Sequence, residues 1–205
     1  MTTIDFRPTT TELARLVRSV EDHQLGDPTP CPDYTVADLL DHIGGLALAF
    51  TLSARKEEIP GGGNASGDGS RLEDGWRDRI SDQLGQLGQA WLDPAAYDGI
   101  TQAGPIEMPA EIAALVALDE VTVHAWDLAV ATGQTYAADP DAVAAAHGFA
   151  SGFEPPEGGA ADDGGLFGPP VPVPDDAPAL DRLLGATGRD PHWSPSPGTD
   201  SNSAA

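Results

Sequence analysis

Glu120 and His124 are four residues apart in a chain with five histidines. On a helix that spacing is about 400°, which stacks the two side chains one above the other. Val116 and Val123 nearby are core-type residues, so a carboxylate and an imidazole are directed toward an interior. A carboxylate buried without a partner is costly, and a divalent cation compensates for it efficiently. His42, between Leu39 and Leu46 in a second amphipathic segment, is the histidine best placed to add a third ligand. His42, Glu120 and His124 would supply two neutral nitrogens and one carboxylate, leaving a position open for water or substrate. The same spacing also fits a plain ion pair of Glu120 with His124 or with an arginine, and His42 also fits a hydrogen-bonded core histidine. Asp127, one turn beyond His124, suits an acceptor that holds an imidazole from behind, or a brace for a neighbouring loop.

The remaining reactive residues are less informative. Cys31 is the only cysteine, and its neighbours Pro30, Pro32 and Asp33 include no cation that would favour a thiolate; it reads as structural. His23 fits a helix end, and His147 and His192 have no acidic or histidine partner at ligand spacing. The sequence has no P-loop, dinucleotide fingerprint or Gly-x-Ser-x-Gly elbow.

The elements that must position these groups are helical. Thr9 and Glu12 have capping-box spacing ahead of Leu13, Leu16, Val17 and Val20, which predicts a helix over about 10–23. A rigid extended stretch is expected over 28–34, then a second capping box, Thr35 and Asp38, opening a helix to about Arg55. Gly44 and Gly45 inside it predict either close packing or a space beside them. Residues 60–70 read as a flexible loop too polar and glycine-rich to pack. Further helices are expected over about 71–92, from Pro109 to Gly133, over 140–150 and over 179–187. A short extended piece is expected near 106–108, and 151–178 should be loop, with Val171–Pro174 extended and docked. The fold class is therefore all-α, with four long helices as the core. One domain is expected over 1–193 and a disordered tail over 194–205.

Thirty-three acidic residues face ten basic ones, a net charge of −23, and Lys56 is the only lysine. That balance argues against nucleic-acid binding and against docking on anionic lipid. No run of about 18 or more apolar residues predicts a membrane span, and no signal peptide is recognised. A cytoplasmic protein, monomer or homodimer, is the expectation, with the acidity also compatible with a high-salt interior.

The stretch Thr29-Pro30-Cys31-Pro32-Asp33-Tyr34-Thr35-Val36-Ala37-Asp38-Leu39, leading to His42, resembles the opening signature of the mycothiol-dependent maleylpyruvate isomerase N-terminal domain family, within the DinB-like superfamily. Glu120-Val121-Thr122-Val123-His124-Ala125-Trp126-Asp127 resembles its second signature, Glu-x-x-x-His-x-Trp-Asp. Tyr34 stands where that family usually has tryptophan. Leu166-Phe167-Gly168 to Pro174, and Leu183 to Pro191, are similar to the end of an uncharacterised single-domain actinobacterial subgroup. The resemblance covers about residues 10–193. It implies a four-helix bundle with additional short helices, and a divalent metal, often zinc, with nickel or iron as alternatives, held by His42, Glu120 and His124. It also implies a low-molecular-weight thiol such as mycothiol or bacillithiol as co-substrate in a transfer or isomerisation. The characterised isomerase has a second, C-terminal domain contributing to its substrate site, for which this chain is not expected to have room. Cations to meet such a thiol's polar groups would come from among Arg15, Arg18, Arg77, Arg79, Arg182 and Arg189, which the sequence does not rank. Two other readings stay open: hydrolysis by a metal-bound water with Glu120 or Asp127 relaying protons, and a non-enzymatic helical partner module.

Overall fold

The structure, a computed structural model, describes residues 3–59, 66–104, 106–152 and 166–195. Nearly all of the expected tail, part of the glycine-rich stretch and much of the loop expected over 151–178 lie outside the described residues.

Helix α1, Arg7–Ser19, starts earlier than the sequence predicts, from Phe6 and with Pro8 in its first turn. Thr9 and Thr10 are buried within that turn instead of capping it, and Glu12 pairs with Arg15 at 2.8 Å. The expected continuation to His23 is a separate 3₁₀ turn, Asp22–Gln24, in which Glu21 and Gln24 cap one another. Helix α2, Val36–Arg55, opens on the predicted capping box: Thr35 accepts from the Asp38 N–H, and Asp38 accepts from the Thr35 N–H at 2.9 Å. The approach to it is a closed loop where an extended one was expected. Pro28 bridges to Thr35, the Tyr34 N–H donates to the Cys31 carbonyl at 3.0 Å, and the Thr29 hydroxyl donates to the Tyr34 carbonyl at 2.8 Å.

Residues 66–70 also differ from expectation, because they pack. The Gly67 N–H donates to the Tyr34 hydroxyl at 2.9 Å and the Gly69 N–H to Asp38 Oδ1 at 2.7 Å. A side chain at Gly69 would lie 2.6 Å from Ala37 Cβ, so it is the missing Cβ that lets this backbone lie against α2. A 3₁₀ turn, Gly69–Arg71, follows, and α3, Trp76–Ala90, begins later than predicted. The strand expected near 106–108 is β2, Ile106–Pro109, and it has an unpredicted antiparallel partner, β1, Ile100–Ala103, with Ala103 opposite Ile106. Thr101 in β1 donates to the Ser53 carbonyl at 2.6 Å, which fastens the hairpin to the end of α2. Helices α4, Ala110–Ala131, α5, Pro140–Ser151, and α6, Ala179–Ala186, follow the sequence reading closely.

The first four helices close a ring in which α1 packs on α3 and α4, and α2 packs on the same two. Gly44 explains the closeness of α2 to α3: a Cβ there would meet Ile80 Cγ1 at 3.2 Å. Helix α4 is the centre of the molecule, with 17 of its 22 residues buried. One side faces the bundle core, including Leu39, Leu84, Trp91 and Leu118. The other faces a second apolar cluster in which Val123 and Trp126 meet Val143 of α5 and Leu183 and Leu184 of α6. By length and mean hydropathy, 1.3, α2 would suffice to cross a membrane, but 56% of that window is buried inside the bundle, as a core helix requires.

The segment before α6 docks as the sequence predicts: the Val171 N–H donates to the Gly185 carbonyl at 2.9 Å. A Cβ on Gly185 would overlap Val173 and stand 2.7 Å from the Val171 carbonyl oxygen. Gly185→Ala is therefore expected to lower stability by about 1–3 kcal/mol through overpacking, read as a lower urea midpoint. An unchanged midpoint would mean that this segment does not rest on α6.

Candidate functional site

Helix periodicity places Glu120, His124 and Asp127 on one arc of α4, and Asp119, Val123 and Trp126 on the arc beside it. His42 reaches the first arc from α2. His124 Nε2 lies 3.0 Å from Glu120 Oε2 and 3.1 Å from His42 Nε2, and His42 Nε2 is 3.9 Å from Glu120 Oε2. The structure thus brings together the three residues that the sequence singled out. The two imidazole rings meet edge to face, 4.8 Å between centroids.

Behind them, Asp127 is fully buried and its Oδ2 accepts from His124 Nδ1 at 2.9 Å. Asp127 also contacts a distant segment. Arg189, beyond α6, donates to Asp127 Oδ2 at 3.2 Å and to Oδ1 at 3.4 Å, and to the Thr187 carbonyl at 3.1 Å. Its Nη2 is also 3.1 Å from Cys31 Sγ, which is 3.4 Å from Asp127 Oδ2. Reading Cys31 from its sequence neighbours missed this guanidinium, 158 positions later. Of the six arginines named as candidate cations, Arg189 is the one at the site. Arg15 and Arg77 are paired with Glu12 and Asp22, Arg79 donates to Gln83, Arg182 reaches the Asp175 carbonyl, and Arg18 lines a groove along α1 and α3.

These groups shift one another's protonation. Burial works against the Asp127 charge, but the bond from His124 and the Arg189 guanidinium overcome it and hold the carboxyl below its usual range. Burial likewise opposes the charge of Glu120, and the two histidines outweigh it, keeping that carboxyl well below the ordinary value. For His124 burial disfavours the imidazolium, yet Asp127, Cys31 and Glu120 together hold its pKa well above normal. Asp119 goes the other way: burial first, and then the Glu120 charge, push its carboxyl up to about 8.

The donor set can be tested against a metal. With Asp127 ionised, His124 Nδ1 keeps its proton whatever the charge of the ring, and the raised pKa places a second proton on Nε2 toward Glu120, the position a metal ion would take instead. Three electron-rich atoms, all within 4.8 Å of one another, need a proton or a cation among them. Ligand atoms about 2 Å from a common tetrahedral ion stand about 3.3 Å apart, and the observed 3.0, 3.1 and 3.9 Å bracket that value. The residues fit a divalent ion, and two nitrogens with one oxygen suit zinc, nickel or iron. The trio opens on a cavity of about 240 Å³, also lined by Tyr34, Asp119, Leu166, Phe167 and Arg189. The Tyr34 ring is 5.4 Å from that of His42. Asp119 was missed by the sequence reading, although a carboxyl sharing an arc with Val123 and Trp126 was a readable signal.

A helical bundle whose second and fourth long helices converge two histidines and a glutamate is the class that the fold and site define. The chain belongs to the mycothiol maleylpyruvate isomerase N-terminal domain family, whose model matches residues 6–129. It is 28% identical over 177 residues to uncharacterized proteins of two Mycobacterium tuberculosis strains, CDC 1551 / Oshkosh and H37Rv, covering 86% of this chain and 91% of theirs. Crystal structures of the mycothiol-dependent maleylpyruvate isomerase and of a mutant share its fold, with TM-scores of 0.50 and 0.51 at 20% and 19% identity. The match covers 68% of this chain and 64% of the isomerase, so the chain spans less than two thirds of that protein's length. Helices α5 and α6 and Arg189 lie beyond the family match.

Arg189→Met leaves Asp127 buried with one ionic partner fewer. Breaking a fully buried pair costs about 3–5 kcal/mol; the Arg189 side chain keeps 17% of its exposure, so the expected loss is about 2–3 kcal/mol. Because the folded-state pKa of Asp127 is depressed, its contribution is fully present above the unfolded carboxyl value of about 3.9. It is lost as pH falls through the lowered folded value. Urea midpoints of wild type and variant should differ by a constant amount near neutral pH and converge in acid; a gap that persists in acid would mean that the arginine acts by packing alone.

Proposed function

We propose that this protein is a divalent-metal-dependent enzyme of small-thiol chemistry, a transferase or isomerase that takes a low-molecular-weight thiol such as mycothiol as co-substrate. The carrying observation is the convergence of His42 Nε2, Glu120 Oε2 and His124 Nε2 at the wall of a cavity, in a chain of this family. These three residues would hold the metal, zinc in the first instance. A metal there would lower the pKa of a thiol or water that reaches it, supplying a nucleophile at neutral pH. The chain's own residues do the rest. Asp127 keeps the His124 proton on Nδ1, which leaves Nε2 free to ligate and fixes the ring. Arg189 holds Asp127 ionised and in place. The Tyr34 ring stands beside His42, and Leu166 and Phe167 give the cavity an apolar wall.

Elemental mass spectrometry on protein purified without a metal-binding tag should find close to one equivalent of a divalent metal, lost in His42→Ala and in His124→Ala. Absence of metal in wild type after reconstitution at neutral pH would end this reading. Asp127→Asn keeps all three ligands but loses the charged acceptor behind His124, so metal affinity should fall by about 10–100-fold, measured by competition with a chromophoric chelator. An unchanged affinity would reduce Asp127 to a structural brace.

A further inference from the structure

Asp119 is 3% exposed, and its Oδ1 has no hydrogen-bond partner among the described residues. Of the buried side-chain polar atoms left unpaired there, it is the only carboxylate oxygen. The residue lines the same cavity as His42, Glu120 and His124, but from the neighbouring arc of α4. The guanidinium in that cavity wall does not donate to it; the Arg189 bonds go to Asp127, Thr187 and Cys31. A buried acceptor without a partner destabilises the fold by its full desolvation penalty, and native structures keep few of them. A ligand that brings its own donor removes the penalty on binding.

We propose that Asp119 is the acceptor for a hydrogen-bond-donating group, a hydroxyl, amine or amide N–H, carried by the small thiol that enters the cavity. The inference rests on the thiol reading above and narrows it: the co-substrate is a polar thiol with a donor near its sulfur, and a plain alkyl thiol is a poor fit. Either form of the carboxyl presents an acceptor oxygen, so the preference does not depend on its protonation. Discrimination arises because an alkyl thiol leaves the Asp119 carboxyl without a donor, as it is in the free protein, whereas a hydroxyl supplies one.

Matched pairs of thiols test this: 2-mercaptoethanol against 1-propanethiol, and 3-mercapto-1-propanol against 1-butanethiol. Dissociation constants are measured by saturation-transfer NMR on the metal-loaded full chain and on Asp119→Ala. Wild type should bind each mercaptoalcohol about tenfold or more tightly than its alkyl partner, and the preference should vanish in Asp119→Ala. The thermal midpoint of Asp119→Ala without ligand should be unchanged or higher, since the variant sheds an unpaired polar group. A preference absent in wild type, or one that survives in Asp119→Ala, overturns the Asp119 assignment and leaves the thiol reading standing. A clearly lower midpoint in Asp119→Ala makes Asp119 structural and overturns the assignment as well. If none of the four thiols binds the metal-loaded protein, the thiol reading itself fails, and this inference with it.

Discussion

The bond from His124 Nδ1 to the fully buried carboxylate of Asp127, 2.9 Å long, is the constraint on which the site depends. A carboxylate so placed is tolerated only when its desolvation is offset by charged donors on more than one side. The imidazole of His124 supplies one and the Arg189 guanidinium the other, and Arg189 comes from the far end of the described chain. The C-terminal segment must therefore return to α4, and α4 must be buried on both faces to receive it. The second apolar cluster, of Val123, Trp126, Val143, Leu183 and Leu184, provides that cover. Packing and electrostatics here act together: α5 and α6 exclude water from the Asp127 side of α4, and the low polarity they create is what makes the Arg189 pairing strong.

Helix placement was legible because apolar periodicity and caps are local. Thr35 and Asp38 form the capping box that their spacing predicts, and α4, α5 and α6 fall where apolar runs and prolines put them. Where local signals compete, the reading failed. Thr9 and Glu12 have the spacing of a cap, but burial of Phe6 against Trp91, with their rings stacked 5.7 Å apart, starts the helix earlier. Residues 66–70 look like a linker by composition; what docks them is the acceptor capacity of Tyr34 and Asp38 thirty residues away, which no window of local sequence contains. Strand β1 carries no strong alternation of its own and exists because β2 pairs with it.

The site shows the same division. Glu120, His124 and Asp127 share one helix, so spacing alone put them on one arc. His42 was reachable as the remaining histidine on an amphipathic helix. The pairing of Cys31 with Arg189 spans 158 positions, and a tertiary contact of that range leaves no trace in the residues that flank either partner. Of six arginines, chemistry nominates all and topology selects one.

Charge links the site to the chain as a whole. A net charge of −23 surrounds the molecule with a field that concentrates cations and repels anions, though salt screens it beyond about 8–10 Å. The cavity opens into this field with Glu120 on its wall, so cations are concentrated at its mouth; Asp119, its carboxyl pushed up to about 8, adds little charge at neutral pH. An anionic molecule meets the reverse: it is repelled on approach, and the guanidinium inside is already engaged with Asp127. The physical bias of the site is thus toward molecules that bring hydrogen-bond donors and little negative charge. That bias is set by residues on α4 and by the segment that carries Arg189, one part inside the family match and the other beyond it. A chain that keeps His42, Glu120 and His124 but closes the cavity with a different C-terminal segment can therefore keep this polar trio and change the molecules that the cavity admits.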